Sequence, residues 1–203
     1  VTSSDKPVTT AGHWPSLNLK GISAPGYGKD PNLFLSDAPW PKTLSKAQLN
    51  LVARLADIIV PKEGSIPSAS EVGVPDVVDE WVSAPYDRQQ RDREIILHGL
   101  AWLDDEANLR YKKPFLKASE QQQLMIIDDI AYQTSTLDPQ FERMAAAFDR
   151  LRHLNLAAFF CTPQGSKDLG YLGNVPILGD YPGPTPEAMS HLEKVLKELN
   201  LSL

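Results

Sequence analysis

The stretch that decides the fold runs from Asp138 to Phe160 and reads DPQFERMAAAFDRLRHLNLAAFF. Asp138 and Pro139 are typical of a helix start, because an aspartate accepts hydrogen bonds from free backbone N–H groups and proline fits the first turn. Large apolar residues then recur every three or four positions, as they do on the buried side of a helix: Phe141, Met144, Phe148, Leu151, Leu154 and Ala158. We predict that this helix forms the centre of the core.

Helix signals continue on both sides of this stretch. Ser45 and Ser119 each stand three residues before a glutamine, the spacing of a capping box, and predict helices from about 45 to 60 and from 119 onward. The second of these should point Leu124, Ile127 and Ala131 inward. Further helices are predicted from Val74 to about Val82, over 87–111, and from Thr185 with an apolar stripe of Met189, Leu192, Leu196 and Leu199.

No segment alternates apolar and polar residues in the manner of a strand. The predicted fold is therefore all-α, a compact bundle of about six helices in a domain spanning 43–203. Residues 1–42 contain six prolines and no apolar period, which indicates an extended N-terminal arm that lies along a surface. The Gly/Pro-rich segment 162–184 predicts a long structured loop before the last helix, and a loop of this length indicates a partner.

Composition excludes two classes of function. The net charge of −6 and the scattered lysines and arginines argue against a nucleic-acid-binding protein. No apolar run approaches the roughly 20 residues of a membrane-spanning helix. The chain begins at Val1 without a methionine or a leader, which we interpret as a processed or a shortened chain.

Candidate catalytic residues are weak. The four histidines do not have the spacing of a metal site, and Asp149 with His153 has the i, i+4 spacing of an ordinary surface pair on a helix. The carboxylates of Asp104–Asp105 and Asp128–Asp129 should lie on solvated faces. We therefore expect no catalytic, cofactor-binding or metal-binding residue in this chain.

The single cysteine, Cys161, leaves two interpretations open. Free cysteines are often small buried hydrophobes, and Cys161 follows an apolar run. An odd cysteine in an exported protein can instead form a disulfide with another chain.

Three stretches carry a resemblance to a known family. They are Leu55–Pro61 continuing through Val72–Pro75 and Val78–Asp79, then Phe115–Gln122, and finally Thr162–Asn174 with Tyr181–Gly183. Together they resemble the gluconate 2-dehydrogenase subunit 3 family over roughly residues 45–192. Ser68 departs from the family, which often has glycine in that loop.

The resemblance implies a non-catalytic small (gamma) subunit of a bacterial periplasmic, FAD-dependent dehydrogenase of the GMC type. The complex would oxidise gluconate, a sugar or a glycoside, the last in a glucoside 3-dehydrogenase type of reaction. The small subunit would stabilise and mature the catalytic flavoprotein and support its export by the twin-arginine route, although the signal is absent from this sequence.

The resemblance also implies which subunit of the complex binds each cofactor. No cofactor is expected in this chain, FAD is expected in the catalytic partner together with an iron–sulfur cluster, and haem is expected in a c-type cytochrome subunit. Two alternatives remain open. One is a general helical chaperone or binding module for another exported protein, and the other is a free-standing enzyme that uses His153, Asp149 and Cys161.

The predicted partner interface combines aromatic anchors with the shaped loop, as such contacts often do. Cys161 is also the candidate for an intersubunit disulfide. The predicted interface residues are Trp14, Trp40, Cys161, Leu169, Gly170, Tyr171, Gly173, Asn174, Pro176, Tyr181, Pro182 and Gly183.

Overall fold

The computed structural model describes residues 13–20, 40–133, 137–171, 173, 179–180 and 182–202. Within these residues the chain forms seven α-helices and three short 3-10 turns, and the only β-type pairing is an isolated bridge between Glu63 and Ile66. The predicted all-α fold is therefore confirmed. Contacts divide the chain into two units, Val1–Gly170 and Tyr171–Leu203. The predicted boundary between an arm over 1–42 and a domain over 43–203 stays a prediction.

Six helices belong to the first unit and one to the second. The first unit contains α1 (Lys46–Ile59), α2 (Val74–Ser83), α3 (Asp87–Tyr111), α4 (Glu120–Asp128), α5 (Glu142–Phe160) and α6 (Pro163–Asp168), and the second contains α7 (Pro186–Glu198). Both predicted capping boxes are present. Ser45 Oγ accepts the backbone N–H of Gln48 at 3.3 Å, and Ser119 Oγ accepts that of Gln122 at 3.2 Å.

Helix α5 is the centre of the core, as predicted, and it contacts α1, α2, α3 and α6. Its predicted stripe is buried from Met144 to Ala158. Close approach to α3 depends on Gly99, because a Cβ at that position would lie 2.9 Å from Ala147 Cβ. Burial of this apolar surface is the main force that holds the helices together.

The inward face of α4 differs from the prediction. Ile127 is buried and Ala131 packs against the core, as predicted, but Leu124 is 39% exposed and Ile126 is buried instead. Gln123 takes a buried position because its amide is fully used: it accepts from Arg54 Nε at 2.6 Å and donates to the Phe115 carbonyl at 2.9 Å. A polar residue with satisfied hydrogen bonds thus shifts the apolar stripe of this short helix.

Two carboxylates predicted on solvated faces form structural contacts. Asp104 Oδ1 accepts the backbone N–H of Phe115 at 2.9 Å, and Asp129 Oδ2 accepts from Arg110 at 2.7 Å. Arg110 is almost fully buried and also donates to Glu106 Oε1 at 2.6 Å. Burial lowers the pKa of Arg110, but the two carboxylates raise it more and hold it above its ordinary value. These contacts tie α4 to the end of α3.

Hydrogen bonds to two carboxylates fix the connection between α1 and α2. Asp57 accepts the backbone N–H of Ser70 at 2.9 Å and its hydroxyl at 2.7 Å. Glu71 accepts the backbone N–H of Ser68 at 2.8 Å and Lys62 Nζ at 3.1 Å, and these bonds lower the pKa of Glu71. Ser68 Oγ lies 3.4 Å from Ser70 Oγ, so a serine at position 68 adds a side-chain contact to this loop. The fixed loop sets where α2 begins on the core.

The predicted loop over 162–184 begins with a helix. Thr162 Oγ1 accepts the backbone N–H of Gly165 at 3.0 Å and so caps α6. Gly165 is required for the packing of α6 on α5, because a Cβ there would lie 2.2 Å from the carbonyl oxygen of Phe159. The segment was predicted as a loop because its glycines and prolines are turn formers, whereas Pro163 here fits the first turn of a capped helix.

In the second unit, α7 forms as predicted. Thr185 Oγ1 accepts the backbone N–H of Ala188 at 3.2 Å. No residue of α7 is buried: Met189 and Leu196 are half-buried, while Leu192 is 38% and Leu199 is 62% exposed. The apolar stripe was thus predicted correctly as a pattern, but nothing in the described residues covers it fully.

Candidate functional site

An open apolar groove with a volume of about 750 Å³ lies between α2 and α5. Val77 and Trp81 line it from α2, and Leu154 and Ala157 line it from α5. The apolar side of α2 is one wide stripe, in which Val74, Val78 and Val82 are buried, while Val77 and Trp81 lie along one edge, one turn apart. Val77 is 48% exposed. The groove therefore exposes apolar surface of Val77 beside side chains that the core already uses, such as Leu154 and Ala158.

Apart from the Cys161 thiol, the charged or titratable side chains that line the groove are all basic: Arg88, Arg150 and His153. Arg88 lies 6.0 Å and Arg150 lies 5.7 Å from the ring centre of Trp81, within the range of cation–π attraction. None of the ion pairs between described residues involves Arg88. The groove thus combines an apolar lining with a basic edge.

A buried carboxylate holds the groove in shape. Asp92 accepts two hydrogen bonds from Arg150, at 2.8 and 2.6 Å, and a third from Trp81 Nε1 at 2.7 Å. Burial raises the pKa of Asp92, but the hydrogen bonds from Arg150 and Trp81 lower it more, so it lies below its ordinary value. Asp92 is therefore ionised at neutral pH and fixes both side chains. A bidentate bond of this kind sets direction as well as distance.

His153, Asp149 and Cys161 do not form a catalytic arrangement. His153 Nδ1 lies 3.3 Å from Asp149 Oδ2, but Asp149 also pairs with Arg152, as is common on a helix surface. Cys161 follows eight residues after His153 on the same helix, a rise of about 12 Å, whereas proton transfer requires contact at about 3 Å. The structure does not bring these residues together as a nucleophile and its base.

Cys161 is exposed at the end of α5 and lines the groove. The interpretation of Cys161 as a buried hydrophobe is therefore wrong. The reason is its position, because the last core residue of the helix is Phe159 and the chain turns into α6 after Cys161. The disulfide to another chain stays a prediction.

The described part of the chain contains neither a cluster of metal-binding side chains nor a membrane-spanning helix. No three side chains of histidine, cysteine, aspartate or glutamate lie together in a way that could hold a metal ion. No helix in this part is both long and apolar enough to cross a membrane.

Comparison with known families decides where the chain belongs. The family model described as gluconate 2-dehydrogenase subunit 3 matches residues 46–183. The chain belongs to the gluconate 2-dehydrogenase subunit 3 family. No curated protein and no solved structure matches it. The resemblance carried by the three stretches is thereby confirmed, and a family of dehydrogenase subunits implies partner subunits for this chain.

The family match covers some of the helices and leaves others out. It covers α1 to α6 and every residue that lines the groove. The described arm residues and α7 lie outside it, because α7 begins at Pro186. The groove is therefore part of the region that this chain shares with the subunit 3 family.

The two tryptophans predicted at the interface contact this chain itself. Trp14 stacks on His98 with ring centres 5.1 Å apart, and Arg143 lies 5.8 Å from its ring centre. Trp40 Nε1 donates to the Glu80 carbonyl at 3.0 Å. These contacts attach the described arm residues to the helices of the first unit. A role of either ring in binding a partner stays a prediction.

The predicted loop residues divide between the two units. Leu169 is 65% exposed and Gly170 has a φ of +70° at the end of α6, both in the first unit. Tyr171 is 59% exposed and belongs to the second unit. Gly173, Pro182 and Gly183 also belong to the second unit, and Asn174, Pro176 and Tyr181 lie outside the described residues. Their part in an interface stays a prediction.

The sequence reasoning missed Val77, Trp81 and Arg88. The apolar residues of α2 are Val74, Val77, Val78, Trp81 and Val82, which have the i, i+3, i+4, i+7, i+8 spacing of one core-facing stripe. This spacing does not indicate that Val77, at the edge of the stripe, is exposed. The sequence of α2 alone therefore contains no signal for the groove.

Proposed function

We propose that this chain is the non-catalytic small (gamma) subunit of a periplasmic, FAD-dependent dehydrogenase of the GMC type. The complex oxidises a CH–OH group of gluconate, a sugar or a glycoside. Its catalytic flavoprotein passes electrons onward to a c-type cytochrome. The observation that carries the proposal is the match to the subunit 3 family over residues 46–183.

The geometry of the site supports a binding role. The groove between α2 and α5 is apolar, open and held in shape by Asp92, whereas His153 and Asp149 form a surface pair shared with Arg152. Exposed apolar surface that a fold does not need for its own core is typical of protein interfaces.

We assign the flavin to the partner, and the helical fold of the described residues supports this assignment. Dinucleotide cofactors are usually held by a glycine-rich turn between a strand and a helix. The described residues form helices and one isolated bridge, so they provide no such turn. We assign the FAD and an iron–sulfur cluster to the catalytic subunit, and haem to the cytochrome subunit.

The small subunit also supports maturation and export of its partner. A flavoprotein that crosses the membrane folded, by the twin-arginine route, must load FAD beforehand, and a bound small subunit stabilises it in that state by mass action. Expression of the flavoprotein without this chain should lower both its flavin-loaded fraction and its amount in the periplasm.

The test is co-expression of a tagged form of this chain with candidate flavoproteins of the GMC type. Size exclusion with detection of flavin absorbance should give one yellow complex, and dye reduction with gluconate, sugars and glycosides should follow the complex. A non-reducing gel tests the disulfide of Cys161.

Two outcomes would contradict the proposal. One is a colourless chain that turns over a substrate alone, and the other is a chain that binds unrelated exported proteins equally well.

Tyr171→Ala tests the exposed loop residue. We expect weaker association with the flavoprotein and an unchanged unfolding midpoint, because Tyr171 is 59% exposed. Tyr132→Ala is the matched control, since Tyr132 is a tyrosine that is 70% exposed on the first unit. Equal co-purification of the Tyr171 variant and the control would remove Tyr171 from the interface.

A further inference from the structure

We propose that the groove between α2 and α5 binds a segment of the catalytic flavoprotein that inserts large apolar side chains and places a carboxylate against Arg88. This inference rests on the proposed function and extends it, because it names a surface and the chemistry of the segment that the surface accepts.

The apolar part of the inference follows from size and exposure. A volume of about 750 Å³ falls within the range of sites that enclose several side chains. Val77 presents 48% of its surface to solvent, and Trp81 lies one turn away in the same groove. Tryptophan in a preformed apolar groove is the type of residue that contributes most to binding at protein interfaces.

The charge of the groove defines the other part of the occupant. The chain as a whole has a net charge of −6, but Arg88, Arg150 and His153 give this groove a basic edge. Both forked donors of Arg150 are used by Asp92, and His153 is shared with Asp149. Arg88 is exposed and forms no ion pair with another described residue, although its charge also lowers the pKa of Asp92, so its guanidinium can still bind a carboxylate of the partner.

The same charges disfavour a second copy of this chain as the occupant. In a two-fold symmetric dimer the same patch lies on both sides of the interface. Such a contact would bring the arginines of one groove close to those of the other. Like charges in an interface reduce affinity, whereas a partner carboxylate would increase it.

The apolar contact is tested with Val77→Asp in the co-expressed complex. Met125→Asp is the matched control, because Met125 is also 48% exposed but lies on α4, away from the groove. We expect Val77→Asp to raise the Kd for the flavoprotein about tenfold or more and the control to change it less than about twofold. Thermal unfolding of both free variants shows whether each still folds.

The charged contact is tested with Arg88→Glu, and Arg91→Glu on the same helix is its control. Arg91 is exposed and does not line the groove. Arg88→Glu should also raise the Kd about tenfold or more, with little effect of the control. Replacement of acidic residues of the flavoprotein by lysine, one at a time, should then identify one change that restores binding to Arg88→Glu.

Cys161 provides an independent readout because it is the only cysteine and it lines the groove. Under reducing conditions, alkylation of Cys161 should slow several-fold when the flavoprotein binds. The Arg88→Glu variant, mixed with the same flavoprotein concentration, should be alkylated close to the rate of the free chain.

The outcomes separate the two proposals. A wild-type chain that binds no flavoprotein contradicts the proposed function and this inference with it. A wild-type complex that both groove variants leave intact contradicts the groove alone. A free wild-type chain that dimerises, with a monomeric Val77→Asp variant, would assign the groove to a second copy and overturn the inference.

Discussion

Helices α5 and α7 follow the same sequence rule and reach opposite results. Helix α7 begins at a capping residue followed by proline, and α5 follows a 3-10 turn, Pro139–Phe141, that begins in the same way. Each helix carries apolar residues three and four positions apart. Helix α5 buries nine residues, whereas α7 buries none. The family match contains all of α5 and ends before α7. Apolar periodicity therefore specifies a helix and its apolar face, but it does not specify whether another part of the chain covers that face.

The largest difference in stability between the two helices is expected when one leucine is truncated in each. Leu151→Ala should lower the free energy of unfolding by about 2–5 kcal/mol, because a buried side chain leaves a cavity. Leu192→Ala should change it by less than about 0.5 kcal/mol, since surface changes usually do. Their exposures are 3% and 38%. Urea unfolding followed by circular dichroism measures both, and equal losses would mean that α7 is buried in solution.

A smaller effect is expected from the glycine that lets α6 pack on α5. Gly165→Ala should cost about 1–3 kcal/mol through overpacking, because its Cβ would meet the rigid backbone of Phe159. Gly99→Ala should cost less, since its closest contact is a single methyl group, that of Ala147. Ser190→Ala on exposed α7 is the control and should leave the unfolding midpoint unchanged. A neutral Gly165→Ala variant would contradict the tight contact between α5 and α6.

The next changes remove a capping residue. Asp138 caps the 3-10 turn that leads into α5, and Thr185 caps α7. Asp138 accepts the backbone N–H of Gln140 at 3.2 Å, and Asp138→Ala should cost the first unit about 1 kcal/mol. Thr185→Ala should reduce the helix content of α7 with no shift of the main unfolding transition. Circular dichroism and hydrogen exchange distinguish a local loss from a global one. A shift of the main transition by Thr185→Ala would couple α7 to the core.

The smallest expected effect is on the pH dependence of the free energy of unfolding. The pKa of Asp92 is lowered, so its contact with Arg150 contributes stability that is present above the unfolded pKa of about 3.9 and lost as pH falls through the folded pKa. We therefore expect the free energy of unfolding to fall in acid, and this slope to be shallower in Asp92→Asn.

Helix α7 has its own acid-sensitive group. The pKa of Glu187 is lowered by its own backbone N–H and by the Thr185 hydroxyl. Protonation in acid should therefore reduce only the helix content of α7.

The Asp92 prediction is checked by measuring the free energy of unfolding between neutral pH and about pH 3, which gives its pH dependence for the first unit. An unchanged slope in Asp92→Asn would show that another carboxylate causes it.

Most helix boundaries were predictable because their causes are local. A capping box joins residues three apart, and proline acts on its own backbone, so the starts at Ser45, Ser119 and Thr185 agree with the structure. The inward face of α4 was not predictable in the same way. It depends on hydrogen bonds of Gln123 to Arg54 and Phe115, and Arg54 is 69 residues away in the sequence.

The candidate site was predicted less well than the fold. The sequence pointed to Cys161, which lines the groove, and it also pointed to Trp14 and Trp40, which contact this chain. It did not point to Val77, Trp81 or Arg88. A groove is formed by the distance between two helices, and no local pattern in either helix contains that distance.

The sequence by itself determined six of the seven helices in the described residues, the caps at Ser45, Ser119 and Thr185, the central position of α5 and the family to which the chain belongs. Those properties depend on residues within one or two turns of each other or on the order of the elements. Only the tertiary structure decided that α7 buries no residue, that Cys161 is exposed, and that Asp92 fixes Arg150 and Trp81 while Arg88 has no ion-pair partner among the described residues. The physical reason is that burial and hydrogen-bond partners are set by residues brought together from distant parts of the chain.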